Sequence, residues 1–530
     1  MFLASSTDLE LLAVLGAITL LLLAAYRTRV PYPILLVIGG AAIGFVPGMP
    51  DTTLEPELVL LIFLPPLLYA AAFFSSLRDL RDDASAISLL AIGCVLFTTA
   101  GVAVVAHTVV PGMSWEVALT LGAILSPTDA IAATAIASRV GAPRRFVTIV
   151  EGESLVNDAT ALIVYKVALT ALVSGSFNAF EAGGEFVMNA IAGILIGLAV
   201  GYAIAALRSL IDDAPTEISI SLVTPFFAYL PAEAAGVSAV LAAVTAGIYL
   251  GWHSPRLITP ATRIQAFSVW EILTFVLNAA LFVLVGLALP DVIDGISGSY
   301  STGELVWYGA AVSLAVVAAR FLWIFPMTLL PGRLMAHMRG SDRFRNWRLP
   351  FAVAFTGMRG GVSLAAALAL PFTLDDGGAL PFRDLVIFLT YAVILVTLVL
   401  QGLSLPWLMR ALRLEEEPDL DVESEARMRA AWAALEALDK YEHAEWTREE
   451  TVGRMRALYE YRIRRFNARL DPDGDDEIEA GSLAYQRLRR KVLEAERAEI
   501  IRMRNRGIIN DEVMRRIERD LDLEDARLEI

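Results

Sequence analysis

Two aspartates stand out for their surroundings. Asp129 in SPTDAIAA and Asp158 in EGESLVNDATALIVYK both lie in stretches otherwise apolar enough to cross a bilayer. An ionised group at such depth costs roughly 3 kcal/mol or more unless it is paired or faces a wet cavity. A carboxylate sheds that cost in two ways, by taking up a proton or by coordinating a hard cation. Glu153 and Lys166 share the second stretch, Arg320 sits in VVAARFLW, and Arg359 sits in FTGMRGGVSLA.

Depth ties these groups together. If the helix carrying Asp158 enters the membrane near Val147, Asp158 lies about 16 Å in at 1.5 Å per residue. Asp129 precedes Arg139 by about 15 Å of helix, and Arg359 follows Pro350 by about 14 Å. With a hydrocarbon core about 30 Å thick, all three converge on the midplane. Two of the helices concerned are expected to break there. Pro127 removes a backbone donor in SPTD, and Gly357, Gly360 and Gly361 weaken TGMRGGVS. Unwound backbone at membrane depth is tolerated only in protein or against a cavity, and paired broken helices point to a midplane transport site. Carbonyls freed near Thr128 then become available as cation ligands.

Helical spacing assigns the partners. Ser154 and Asp158 are four apart on one face, so the hydroxyl and the carboxylate reach one ion. Glu153 points elsewhere and is expected to pair with Arg320, a buried pair that fixes geometry. Asp129 either touches the ion or neutralises the dipole ends of the broken helices. Arg359 is expected to balance those dipoles rather than bind substrate. Lys166 reads as a snorkelling or cavity-edge lysine. Asn278, in WEILTFVLNAALF, either hydrogen-bonds into the core or satisfies a helix contact.

The elements that must position these groups are long helices. Of 530 residues 56% are hydrophobic, and apolar runs recur from Leu9 to about Leu408, so the fold class is an all-α polytopic membrane protein rather than a β-barrel. About thirteen spans are expected, centred near Ile18, Ile38, Leu64, Ile92, Leu125, Asp158, Ile196, Thr224, Ala242, Leu277, Val317, Gly360 and Ile394. Their loops alternate in charge. One set carries Arg27 and Arg29, Arg78 and Arg81, Arg139, Arg144 and Arg145, Arg208, Arg256 and Arg263, and the arginines from Arg333 to Arg348. The other holds Asp51, Glu55, Glu181, Asp291, Asp294 and Glu304, with Arg383 almost its sole positive charge. Basic loops stay cytoplasmic, which puts the N-terminus outside and the C-terminal segment inside a plasma (inner) membrane. The N-terminus lacks the basic residues of a cleaved signal peptide. Cys94, the one cysteine, reads as a small packed hydrophobe.

Residues 1–412 thus form a membrane domain, and 413–530 a cytoplasmic domain of charged amphipathic helices. The acidic stretch DPDGDDEIEAG between them fails as a calcium loop. Counted from Asp471, the positions needing Gly and Glu hold Asp476 and Ser482.

SPTD, GESLVNDA, FVLNAALFVLVGL and GMRGGVSLA, in this order, resemble the cation/proton antiporter-1 family, which includes bacterial NhaP-type Na⁺/H⁺ antiporters and animal Na⁺/H⁺ exchangers. The resemblance covers essentially the first 410 residues. It implies a homodimer, two inverted repeats, two broken crossing helices, and a core domain moving against a dimerising scaffold. It implies an ion held by Asp158, Ser154 and the Thr128 region, with Asp129 nearby. Asn157, where electrogenic relatives have a second aspartate, implies electroneutral exchange. The family's glutamate after LPPLLF is absent, since LPPLLYAAAFF places Ala70 there, and this leaves the choice of Na⁺ over K⁺ open.

The expected function is therefore Na⁺/H⁺ antiport by alternating access, with cation and proton competing for Asp158. A K⁺- or Li⁺-accepting antiporter would use the same site. A cation channel or a sensor signalling through the tail is the different class, and it lacks a selectivity-filter loop to support it. No His/Cys metal cluster or Ser–His pair suggests an enzyme, and no cofactor or nucleic acid is expected.

Overall fold

The computed structural model describes residues 30–46, 56–174, 179–296, 298–329, 347–374, 378–414, 420–470 and 476–526, with scattered residues between 16 and 27. The chain divides into two compact units, Met1–Glu415 and Glu416–Ile530.

The first unit is built of helices, with one isolated antiparallel bridge between Thr373 and Ala379 among its described residues. It begins with α1 (Tyr32–Gly44), α2 (Pro56–Phe74), the short α3 (Leu77–Asp82) and α4 (Ala84–Val109). An interrupted helix follows as α5 (Trp115–Leu125) and α6 (Ala130–Arg139), and then come α7 (Arg144–Ser174), α8 (Ala179–Arg208), α9 (Ala214–Ala234) and α10 (Ala239–Leu257). The remainder comprises α11 (Pro260–Leu287), α12 (Leu289–Ile296), α13 (Thr302–Leu329), a second interrupted helix as α14 (Arg348–Phe355) and α15 (Gly361–Leu368), and α16 (Arg383–Ala411). Small polar residues start these helices where expected. Ser114 accepts from Val117 N at 3.4 Å, Ser238 from Leu241 N at 3.3 Å, and Thr259 from Thr262 N at 3.3 Å with Pro260 next.

Among the described residues, seven helical segments are long and apolar enough to cross a membrane: Ala84–Val109, Trp115–Ala137, Arg144–Val173, Gly183–Arg208, Pro260–Ile296, Thr302–Pro326 and Arg383–Ala411. α1 and the stretch Leu61–Phe74 are apolar but shorter. Each expected centre from Ile38 to Ile394 falls on a helix or at one of the two breaks; that near Ile18 lies outside the described residues, as do Arg29, Asp51, Glu55, Arg333 and the start of the acidic stretch at Asp471. Outward-facing Val187, Ile191, Leu195 and Tyr202 on α8 are what a lipid-facing helix requires.

Close packing sets the backbone distances. A Cβ on Gly286 of α11 would collide with backbone atoms of Val37, Gly40 and Ala41 on α1. The two helices therefore touch backbone to backbone, as small residues allow in membranes. Among the described residues, two π-helical turns interrupt otherwise regular helices, at Leu89–Cys94 in α4 and at Thr397–Gln401 in α16. Such turns free backbone groups for outside partners, and Trp323 Nε1 donates to Leu89 O at 3.2 Å.

Arg208 corrects the loop assignment. It is 1% exposed and faces Glu217, also 1% exposed, at 3.6 Å, so it is a buried partner rather than a loop charge. Lys166 is half exposed and lies 3.4 Å from Glu233.

The second unit contains α17 (Leu420–Tyr441), α18 (Glu449–Leu470), α19 (Asp476–Asn505) and α20 (Asp511–Ala526). Ala431, Leu435, Val452 and Phe466 are buried on the first pair, Leu493 and Leu521 on the second. Ion pairs such as Arg497–Asp522 at 2.6 Å bridge α19 and α20.

Candidate functional site

Both breaks form where proline and glycines predict them. α5 ends at Leu125 and α6 starts at Ala130, leaving Ser126–Asp129 unwound. α14 ends at Phe355 and α15 starts at Gly361, leaving Thr356–Gly360 unwound. The two breaks meet: Asp129 N donates to Met358 O at 2.8 Å, and a Cβ on Gly360 would overlap the Asp129 carboxylate.

The helix ends so created are answered by charge. Asp129 caps α6, its Oδ1 accepting from Ile131 N at 2.8 Å. It also lies against the start of α15, so its charge faces two helix N-termini. Arg359, 1% exposed, donates through Nε to Leu125 O at 2.9 Å and through Nη1 to Gly357 O. Its own backbone N–H donates to Thr397 Oγ1 at 3.2 Å, in the π-helical turn of α16. At the far end of α15, Arg383 donates to Leu370 O at 3.0 Å and Leu368 O at 3.1 Å.

α7 supplies the remaining groups. Ser154 Oγ donates to Thr128 O at 3.0 Å and accepts from Ala130 N at 3.4 Å. Asn157 Nδ2 donates to Thr128 Oγ1 at 2.7 Å, and that hydroxyl donates to Glu153 Oε1 at 3.3 Å. Glu153 is buried against Arg320, whose Nη1 donates to Oε1 and whose Nη2 donates to Oε2 at 2.7 Å. Arg320 also donates to Val353 O from Nε at 3.1 Å and Nη2 at 3.0 Å. The pair thus ties α7 and α13 to the last turn of α14.

A cavity of about 400 Å³ opens on this crossing. Thr128, Asp129, Ser154 and Asp158 line it together, with Asp158 only 7% exposed. Asn157 and Glu153 do not line it; Asn157 is fully buried behind Thr128, so the structure places it as a support of that residue, not at the cavity wall. Several polar lining residues escaped the sequence reading of the ion's ligands, Glu151 and Asn278 among them. The signal for Glu151 was present, since Glu151, Ser154 and Asp158 are spaced three and four apart on one helical face. Ala70 also lines the cavity, so the position where the family carries glutamate faces the site without a ligand.

Gly360 gives a direct test of how tightly Asp129 is held. Gly360→Ala forces the added methyl against the carboxylate, and overpacking of this kind costs about 1–3 kcal/mol. The expected outcome is a variant that reaches the membrane with reduced ion exchange, measured by vesicle transport at matched abundance. Parent-like exchange would show that the contact is loose.

A cavity lined by three carboxylates, hydroxyls and unwound backbone, in a unit built of membrane-length apolar helices, is what a membrane carrier of small cations requires. The family profile described as "Sodium/hydrogen exchanger, transmembrane" matches residues 4–411, and the chain belongs to that family, within the cation/proton antiporter-1 group. It is 34% identical over 522 residues to an uncharacterised Na⁺/H⁺ exchanger of Mycobacterium tuberculosis, covering 98% of this chain and 95% of the relative. It is 34% identical over 401 residues to a sodium, potassium, lithium and rubidium/H⁺ antiporter of Bacillus pumilus, covering 74% of this chain and 60% of that protein. The Na⁺/H⁺ antiporter NhaP of Pseudomonas aeruginosa is 34% identical over 363 residues, 67% of this chain and 81% of its own. In fold, the chain matches the sodium proton antiporter MjNhaP1 of Methanocaldococcus jannaschii with a TM-score of 0.60 at 20% identity, over 77% of this chain and all of that one.

Proposed function

We propose that this protein exchanges one Na⁺ for one H⁺ by alternating access, with cation and proton competing for Asp158. The observation that carries this reading is the shared lining of one cavity by Asp158, Ser154, Thr128 and Asp129 at the crossing of two broken helices. Burial disfavours the charged, empty carboxylate. Either ion relieves it, and the empty site moves poorly, which enforces exchange.

Charge accounting supports the one-for-one ratio. Asp129 is met by two helix N-termini, Glu153 by Arg320, and position 157 is a neutral asparagine. Of Asp129, Glu153 and Asp158, Asp158 is left as the buried carboxylate whose charge a transported ion must answer, while Glu151, also on the cavity wall, is less deeply buried. The thirteen-span topology with an outer N-terminus, the two inverted repeats, the homodimer and the plasma-membrane location rest on loop charge and the family resemblance. Residues 413–530 are assigned to a cytoplasmic regulatory domain on their charged, amphipathic composition.

Two observations favour a second reading in which K⁺ and Li⁺ are also carried: Ala70 in the cavity wall, and the broad cation range in the name of the Bacillus pumilus relative. In everted membrane vesicles holding an imposed acid-inside gradient, adding Na⁺ is expected to dissipate the gradient. Parallel additions of K⁺ and Li⁺ separate the two readings. A gradient untouched by all three ions would sink both.

A further inference from the structure

We propose that Asn278, on α11, is a neutral oxygen ligand for the transported cation. The proposal rests on the cation-exchange reading above and adds a ligand to it.

Three observations converge. Asn278 lines the same cavity as Asp158, Ser154 and Thr128. It is 7% exposed, and its Oδ1 has no hydrogen-bond partner. A buried acceptor left unpaired is uncommon and calls for an unseen partner. Its neighbour on the same face of α11, Thr274, shows the contrast: that hydroxyl donates to Trp270 O at 2.8 Å and Glu271 O at 3.1 Å. One turn further on, Leu281 fills the space that a Cβ on Gly361 would need, which docks this face of α11 on the start of α15. The α2 wall offers the ion nothing comparable, for Leu64, Leu67, Leu68, Ala70 and Phe74 line the cavity there.

The chemistry separates this ligand from Asp158. An amide oxygen is a hard ligand suited to an alkali cation, as carbonyls are for other hard ions, and it takes up no proton at working pH. Asn278 therefore strengthens cation binding and leaves proton binding alone. In a competition for one carboxylate, the cation concentration giving half-maximal exchange falls as pH rises and then levels off. Losing a ligand specific to the cation lifts that whole curve without moving its bend. A residue that merely supported Asp158 would move the bend as well.

The test uses the full chain in everted vesicles, with Na⁺, K⁺ and Li⁺ titrated from pH 6.5 to 9. Asn278→Ala is expected to raise the Na⁺ KM roughly tenfold at every pH, the loss of one ion–dipole contact, with maximal rate and bend retained. A KM within about twofold of the parent, or a shifted bend with an unchanged alkaline limit, overturns the proposal. Should Asn278→Ala give no exchange, Asn278→Asp decides. That variant keeps an oxygen and adds a titrating charge, so an alkaline-limit KM at or below the parent's supports the assignment, and a higher one overturns it. A parent that answers to none of the three cations removes the exchange reading and this proposal together; a parent that answers while both variants match it removes the proposal alone.

Discussion

Asp158→Asn is expected to reduce cation-driven proton movement to the background of vesicles lacking the protein. Asparagine keeps the shape and a ligating oxygen but neither charge nor proton. A cation seated on it would carry an unanswered positive charge through hydrocarbon, at a cost of roughly 3 kcal/mol or more, which is a factor above 100 in occupancy. The pathway for the returning proton is lost as well. Asp158→Glu retains the charge on a longer arm and is expected to keep a measurable fraction of exchange. In the parent, the half-saturating Na⁺ concentration should fall about tenfold per pH unit on the acid side and become constant on the alkaline side, since only the deprotonated fraction binds cation. Exchange by Asp158→Asn at the parent's rate would end the assignment.

The second large effect concerns the Glu153–Arg320 pair. Removing one member leaves the other as an uncompensated buried charge, so Arg320→Ala is expected to destabilise by about 3–5 kcal/mol. The loss extends further, because Val353 O loses both of its guanidinium donors. Glu153→Leu combined with Arg320→Met should recover a large part of the stability, since replacing both charges by apolar groups of similar volume is often neutral. Unfolding in detergent, followed by the protein's unfolding temperature, distinguishes the cases. Exchange should remain impaired in the double variant, because Thr128 Oγ1 has lost the carboxylate it donates to. An Arg320→Ala variant as stable as the parent would show that the pair is dispensable.

What could be read from the chain in advance was what leaves a local signature. Pro127 and the Gly357–Gly361 cluster mark both breaks, and the four-residue step from Ser154 to Asp158 places both on the cavity. Glu153, off the face shared by Ser154 and Asp158, was legible as the partner of Arg320, and the two do pair. The relationships that stayed hidden depend on contacts without a sequence period. Arg208 looked like a loop charge because it sits at a helix end, yet it and Glu217 bury one another. Thr397 gave no sign that a π-helical turn would offer its hydroxyl to the backbone of Arg359. Asn157 gave no sign in its spacing that its amide would hold the Thr128 hydroxyl from behind.

The two unwound segments are laced together. One peptide N–H reaches across from Asp129 to Met358 O, and one guanidinium reaches back from Arg359 to Leu125 O. Moving one segment away from the other breaks these bonds at membrane depth, where the freed groups find no water. Under the exchange reading proposed above, the part of the cavity wall built from the two breaks would therefore move as one piece, keeping Thr128 and Asp129 in register with Gly360 whichever way the site opens.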